Sequence, residues 1–295
     1  MPLPGAPSGG QPGPAPPALS PPHPALALTQ TALAFLKRDF LIAASYKTAF
    51  VADTVGILFK VTTFRYLSAI FGDRAAPSLA AYGGDYFAFL IVGLALMDFV
   101  HTSLKTFTTS IRDSQLTGTL EVVLLSPIKL SHMILFSSLW AYVFTTLRFL
   151  VYLVFGSVLF SLDLHRANVL GGVVVLLLSI LSFAPLGIIT ATVIMVFKKG
   201  AWFATLVSGL SVLLGGVVYP LEVLPPPVAR LGAFVPMSYC TNAMRQTLLN
   251  GLSLVDLGRD VLALIAFGAI LLPLSLVLFQ IAVTRTKKLG TLTQY

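Results

Sequence analysis

Gly215–Gly251 reads GGVVYPLEVLPPPVARLGAFVPMSYCTNAMRQTLLNG, and two conflicting signals within it decide the kind of fold. Pro220, Pro225, Pro226, Pro227 and Pro236 break any continuous helix, because proline removes a backbone donor and clashes with the preceding turn. Yet Leu221, Val223, Leu224, Val228, Leu231, Phe234, Val235 and Met237 are too apolar for a solvated loop. Broken backbone is tolerated at membrane depth only where protein or a water-filled cavity satisfies its polar groups. Short half-helices dipping back from the outer side of a membrane meet both conditions. Tyr239–Leu249 then reads as an amphipathic interfacial helix carrying Arg245. An outer loop with apolar decoration is the plainer alternative.

The rest of the chain supports a membrane setting. Hydrophobic residues make up 56% of the 295, charged residues 10%, and the mean hydropathy is +0.90. A soluble domain carries about 25% charged residues, so lipid must solvate most of this surface. The net charge of +8 does not indicate nucleic acid, because the charges are scattered between apolar spans. The single cysteine, Cys240, excludes an intrachain disulfide framework and a cysteine metal site. His23, His101, His132 and His165 fall in four separate regions, which argues against a metal site.

A spanning helix needs about 20 mostly apolar residues. Six segments qualify: Ala49–Phe71, Tyr86–Thr106, Phe136–Phe160, Val169–Phe197, Ala201–Tyr219 and Asp260–Val283. Six spans put both termini on one side. Eleven basic residues, among them Lys37, Arg38, Lys105, Lys198 and Lys288, fall on that side, against five on the other. The positive-inside rule makes the richer side cytosolic. Residues 1–27 hold 10 of the 19 prolines and no charged residue, which predicts a disordered cytosolic tail without helix or sheet. Between tail and first span, Thr29–Lys47 places Leu33, Leu36, Phe40 and Ala44 on one stripe interrupted by Lys37, Arg38 and Asp39. That pattern suits a helix lying in the cytosolic interface, or alternatively an extension of the first span.

The connection between spans two and three, SIRDSQLTGTLEVVLLSPIKLSHMIL (Ser110–Leu135), repeats the amphipathic theme. Leu116, Leu120, Val123 and Leu124 form a stripe at helical spacing, and Ser126-Pro127 ends it before the chain re-enters lipid. Such a helix either docks a cytosolic partner or merely stabilises the bundle.

The LKRDF…SYK lead-in, the GTLEVVLLSPI connection and the YPLEVLPPPVARLGAFVPMSY…MRQ stretch resemble the membrane permeases of the ABC type-2 exporter family, over residues 28–295. The resemblance implies an all-α polytopic membrane protein. It would have six transmembrane helices, an N-terminal interfacial helix, a cytosolic coupling helix and an outer re-entrant hairpin between helices five and six. It further implies a homodimer served by a separate ABC ATPase subunit, which would hold the ATP and Mg2+. Gly118, Thr119, Leu120, Glu121, Ser126 and Pro127 would belong to the coupling segment, with Lys37 and Arg38 as a second contact. Pro220, Pro225, Pro236 and Arg245 would belong to the re-entrant gate. The expected location is a bacterial inner membrane, and the expected substrate is a hydrophobic drug, a lipid or a lipid-linked glycan.

Ionisable residues within spans face protein or water rather than lipid. From the cytosolic edge, Asp53 lies about 8 Å deep, Lys60 and Arg148 about 18 Å and Asp98 about 12 Å, at 1.5 Å per residue. Opposite charges at comparable depth suggest Asp98–Arg148 or Asp53–Lys60 pairs. These four either line a polar translocation path or lock the bundle. An ion-driven secondary carrier using Asp53 and Asp98 is the main rival, although the two halves show no convincing repeat. Tyr82, Tyr86, Phe87, Phe89 and Tyr219 would suit sugar stacking or an interfacial aromatic belt.

Overall fold

A computed structural model describes residues 24–116, 130–197 and 201–288, and every regular element among them is helical. In chain order these are α1 (Pro24–Ser45), α2 (Lys47–Ala75), α3 (Tyr86–Leu116), α4 (Leu130–Phe160), α5 (Val169–Phe197), α6 (Ala201–Leu214), α7 (Pro226–Leu231), α8 (Pro236–Leu249) and α9 (Gly258–Lys288). Helix α1 begins four residues inside the segment expected to hold none. Proline is tolerated at the first helical position, where its missing donor has no partner to lose.

Five helices are long and apolar enough to cross a membrane: Lys47–Gly72, Tyr86–Thr109, Ser138–Phe160, Val169–Phe197 and Gly258–Thr286. The expected span Ala201–Tyr219 is helical only to Leu214. Its 14 residues extend about 21 Å, short of the roughly 30 Å hydrocarbon core. Gly215-Gly216 ends it, with Gly216 in the left-handed region at φ 63° that side chains disfavour.

The broken stretch behaves as its prolines dictate. Pro220 and Pro225 cap two short helical turns, and Pro236 opens α8. Helix α8 is no interfacial helix, since ten of its fourteen residues are buried. Its polar residues face protein: Thr241 Oγ1 donates to the Gly215 carbonyl at 2.6 Å, and Ser179 of α5 donates to Cys240 Sγ at 2.8 Å. The far end of α8 meets two other connections. Asn168 N donates to the Thr247 carbonyl at 2.8 Å, and Asn250 Nδ2 to the Ala81 carbonyl at 2.8 Å. The α2–α3, α4–α5 and α8–α9 connections therefore gather at one end of the bundle.

Helix α3 is the centre, with 78% of its most apolar window buried against 17% for α2. Lipid tails are as apolar as leucine, so such a bundle relies on close packing at small residues and interhelical hydrogen bonds. Gly187 of α5 lies against α3 so closely that a Cβ would collide with the Ser103 carbonyl and the Phe107 ring. Ser182 of α5 donates to the Leu264 carbonyl of α9 at 2.9 Å, and Gly268 of α9 accommodates Leu181. Gly187→Ala should cost about 1–3 kcal/mol through overpacking. Gly258→Ala, where an added methyl meets nothing within 4 Å, should be tolerated. Melting of the two detergent-solubilised variants side by side checks this; equal melting temperatures would refute it.

Candidate functional site

Charges from three helices converge beside α3. Asp98 of α3 lies between Arg148 Nη2 of α4, 3.4 Å from its Oδ2, and Lys60 Nζ of α2, 3.9 Å from its Oδ1. Lys60 Nζ also donates to the Tyr152 hydroxyl at 3.3 Å. The Asp98–Arg148 pair expected from comparable depth thus forms. The expected Asp53–Lys60 pair does not: Lys60 turns to Asp98, and Asp53 is exposed with no ion pair among the described residues. Positions seven apart share a helix face but lie about 10.5 Å apart along the axis, beyond the i+3 and i+4 neighbours that meet, whereas Asp98 of α3 lies within reach of Lys60.

The cluster is tight in charge and loose in hydrogen bonding. Asp98 Oδ2 and Arg148 Nε are buried without a hydrogen-bond partner among the described residues, so the 3.4 Å contact is an ion pair without hydrogen-bond geometry. Buried pairs add stability only when their remaining lone pairs and protons are satisfied. One carboxylate also faces two cations, and Lys60 keeps 51% of its side chain exposed. A local excess of positive charge therefore sits on the uncovered side of α2.

A polar seam continues from the cluster along α3 and α4, and sequence reasoning missed it. Thr102 and Thr145 share a hydrogen bond of 2.8 Å, as do Ser103 and Tyr142. The signal was present as Asp98/Thr102 at i, i+4 and Thr145/Arg148 at i, i+3, spacings that stack side chains on one face. On another face of α3, His101 Nε2 and Ser208 Oγ of α6 lie 3.0 Å apart. Beside them is a cavity of about 630 Å³ between α3, α5 and α6, whose polar lining includes Lys105, Thr108, Thr109 and Thr205.

Arg245 of α8 makes the second notable site. The residue is 1% exposed, and its guanidinium faces carbonyls rather than a carboxylate. Nε and Nη2 donate to the Phe89 carbonyl at 3.1 and 2.9 Å, Nη1 to Gly216 at 2.6 Å and Nη2 to Val217 at 2.9 Å. Its Cζ lies 3.3 Å from the Phe89 ring centroid and 5.9 Å from that of Tyr82. Only a planar, five-donor fork serves three carbonyls and two rings at once. Gly93 of α3 admits this approach, since a Cβ there would lie 2.5 Å from Nη2. Arg245 therefore ties the broken stretch to α3. Phe87 and Phe89, whose sequence positions suit sugar stacking or an interfacial belt, are 1% and 0% exposed and belong to the core.

Of the remaining expected positions, Lys37 and Arg38 are exposed on α1. Arg38 pairs with Asp39 at 2.8 Å and stacks over Phe35. Gly118, Thr119, Leu120, Glu121, Ser126 and Pro127 lie outside the described residues.

The sequence profile of the ABC-2 type transporter family matches residues 30–249, well over half of the chain. The chain belongs to the ABC-2 type transporter family. No curated protein matches the sequence. The matched region runs from α1 through the last residue of α8, so the Asp98 cluster, the Arg245 site and the broken stretch all belong to the ABC-2 domain. The chain is accordingly an integral membrane permease of an ABC transporter. A permease of this family carries no catalytic site of its own and usually works with an ATPase partner.

Proposed function

We propose that this permease is the transmembrane subunit of an ATP-driven exporter, acting as a homodimer with a separate ABC ATPase that holds ATP and Mg2+. The observation that carries the reading is the mismatch in α2. It is the least hydrophobic of the five candidate spans and yet only 17% of its window is buried. It also presents Lys60 and Tyr66 outward, 51% exposed at the Lys60 side chain and 69% at Tyr66. A lone span of this character is poorly solvated by lipid. A second protomer covering α2, with a polar path between the two copies, removes the cost. The Lys60–Asp98–Arg148 cluster and the polar cavity by His101 would then line the path and interact with polar parts of the substrate. Asp98 between two cations suits this role better than a proton carrier, which needs a carboxylate free to alternate.

The sixth crossing, in this reading, is composite. Helix α6 carries the chain part-way and hands over at Gly215 to α8, which reaches the end where Thr247 meets Asn168. The residues between form the outer re-entrant hairpin, with Pro220, Pro225 and Pro236 setting its corners and Arg245 holding it. Both termini face the cytosol of a bacterial inner membrane. The helix α1, with Lys37 and Arg38, and the Gly118–Ser126 segment contact the ATPase. Closure of the ATPase pair shifts these contacts, and the change in packing opens the path outward. The substrate is a hydrophobic drug, a lipid or a lipid-linked glycan.

Purification from the native host in mild detergent, with identification of co-purifying chains and an ATP hydrolysis assay, tests the reading. A near-equimolar ATPase with vanadate-sensitive activity is expected; a permease that binds none across several detergents would sink it. Within such a complex, Glu121→Lys should weaken docking or uncouple hydrolysis from transport while leaving the dimer intact. Unchanged transport and stimulated hydrolysis would remove Glu121 from the coupling role.

A further inference from the structure

Asp53 poses a problem that the proposed path does not solve. It lies six residues into α2, about 9 Å along the axis from Lys47. It has no hydrogen bond or ion pair among the described residues. A bare carboxylate costs about 2.5–3.5 kcal/mol or more at the centre of a membrane helix, and Asp53 lies between that centre and the start of α2. Asp53 is exposed, but on a concave part of the surface. It lines a cavity of about 540 Å³ between the α1–α2 bend and α4.

Five of the other eleven lining residues are aromatic: Phe40, Tyr46, Phe50, Trp140 and Phe144. Phe40 meets Trp140 edge-on at 5.3 Å, Phe50 meets Phe144 at 6.1 Å, and Trp140 tilts against Phe144 at 6.4 Å. All four rings line the cavity. Their contacts with one another fix its shape, and the volume falls in the range of sites for drug-sized ligands. Aromatic faces attract cations and their ring edges suit other rings. Lys47 also lines the cavity, but as the first residue of α2 its flexible stem can carry the ammonium into water. An unpartnered carboxylate set beside these rings complements a positive charge on an apolar, ring-bearing body.

We propose that this cavity is a binding site for an amphipathic organic cation, whose ammonium-like centre pairs with Asp53 and whose rings lie among Phe40, Phe50, Trp140 and Phe144. The site is separate from the Asp98 cluster, where the charge excess is positive and would repel such a ligand. It rests on the placement of α2 in a membrane and not on coupling to an ATPase. The permease alone therefore suffices to test it, and failure of the exporter reading would leave the result standing.

The chain holds two tryptophans, Trp140 and Trp202, so Trp202→Phe makes Trp140 a single reporter inside the cavity wall. Tetraphenylphosphonium, titrated into this full-length variant in detergent, should bind saturably by scintillation proximity and change Trp140 emission in parallel. The neutral triphenylphosphine oxide should bind at least tenfold more weakly. Asp53→Asn should weaken the cation at least tenfold, and Asp53→Glu should stay within about threefold of the parent. Ala44→Phe, which fills the cavity from α1, should abolish binding in a protein that remains monodisperse. If Asp53→Asn does not fold, the glutamate and Ala44 variants decide. Equal affinity for the neutral compound, unchanged affinity in Asp53→Asn or Ala44→Phe, or displacement by phosphatidylethanolamine at comparable concentration would each overturn the proposal. The last outcome would assign the cavity to resident lipid.

Discussion

Replacing Arg245 by alanine is expected to abolish the folded permease. The side chain satisfies the carbonyls of Phe89, Gly216 and Val217, and its removal takes all four of these hydrogen bonds away. Each buried carbonyl left without a partner costs about 1–3 kcal/mol, and the packing against Phe89 and Tyr82 is lost as well. The three carbonyls alone come to about 3–9 kcal/mol on these figures, comparable with the 5–15 kcal/mol that typically holds a domain together. The break would occur where the irregular stretch meets α3, so the helical hairpin after α6 should detach first. Arg245→Lys keeps the charge but replaces a five-donor fork with one compact ammonium. It should recover part of the stability and not all of it. Fluorescence-detected size exclusion after a temperature series separates the cases: alanine aggregated, lysine intermediate, parent monodisperse. An alanine variant melting within two or three degrees of the parent would show that the carbonyls find water or other donors.

That site also shows where sequence reasoning reaches and where it stops. The prolines of Gly215–Gly251 announce broken helices, and broken helices form. The polarity of Tyr239–Leu249 suggests an amphipathic helix in the membrane interface, polar side toward water. Within a membrane bundle the direction inverts, because Thr241, Cys240 and Arg245 find partners only in protein. The long apolar runs of α3, α4, α5 and α9 were legible because length and hydropathy alone identify a spanning helix. Helix α6 was overextended because Val217 and Val218 are apolar, although Gly215-Gly216 already marked its end. The Asp98–Arg148 pair was legible from depth. The choice of Lys60 between Asp53 and Asp98 was not, since a single helix's periodicity says nothing of what a neighbouring helix presents. The Gly187 contact was equally hidden, because a glycine in an apolar run reads the same whether or not another backbone lies against it.

The asymmetry of the charge cluster leads to an ordered prediction. Asp98 is 9% exposed and is the one carboxylate within reach of Lys60 and Arg148 among the described residues. Asp98→Asn would leave two cations facing each other without an anion, and breaking a buried pair in this way typically costs about 3–5 kcal/mol. Lys60→Met should be far milder. Its side chain is half exposed, its contact with Asp98 is 3.9 Å, and exposed pairs contribute about 0–1 kcal/mol. Arg148→Gln falls between, because Lys60 still neutralises Asp98. The double variant Asp98→Asn/Arg148→Gln removes one charge of each sign and should be more stable than Asp98→Asn alone, with a coupling of about 0.5–3 kcal/mol. Thermal unfolding of the four purified variants measures the order, and transport by the same variants separates structure from path. If Lys60→Met folds like the parent but loses transport, Lys60 acts on the substrate through its exposed half. If it keeps both, the cluster is a structural lock and the path lies elsewhere on α3. A double variant that is no better than the sum of its parts would mean that Asp98 and Arg148, though 3.4 Å apart, are not energetically paired.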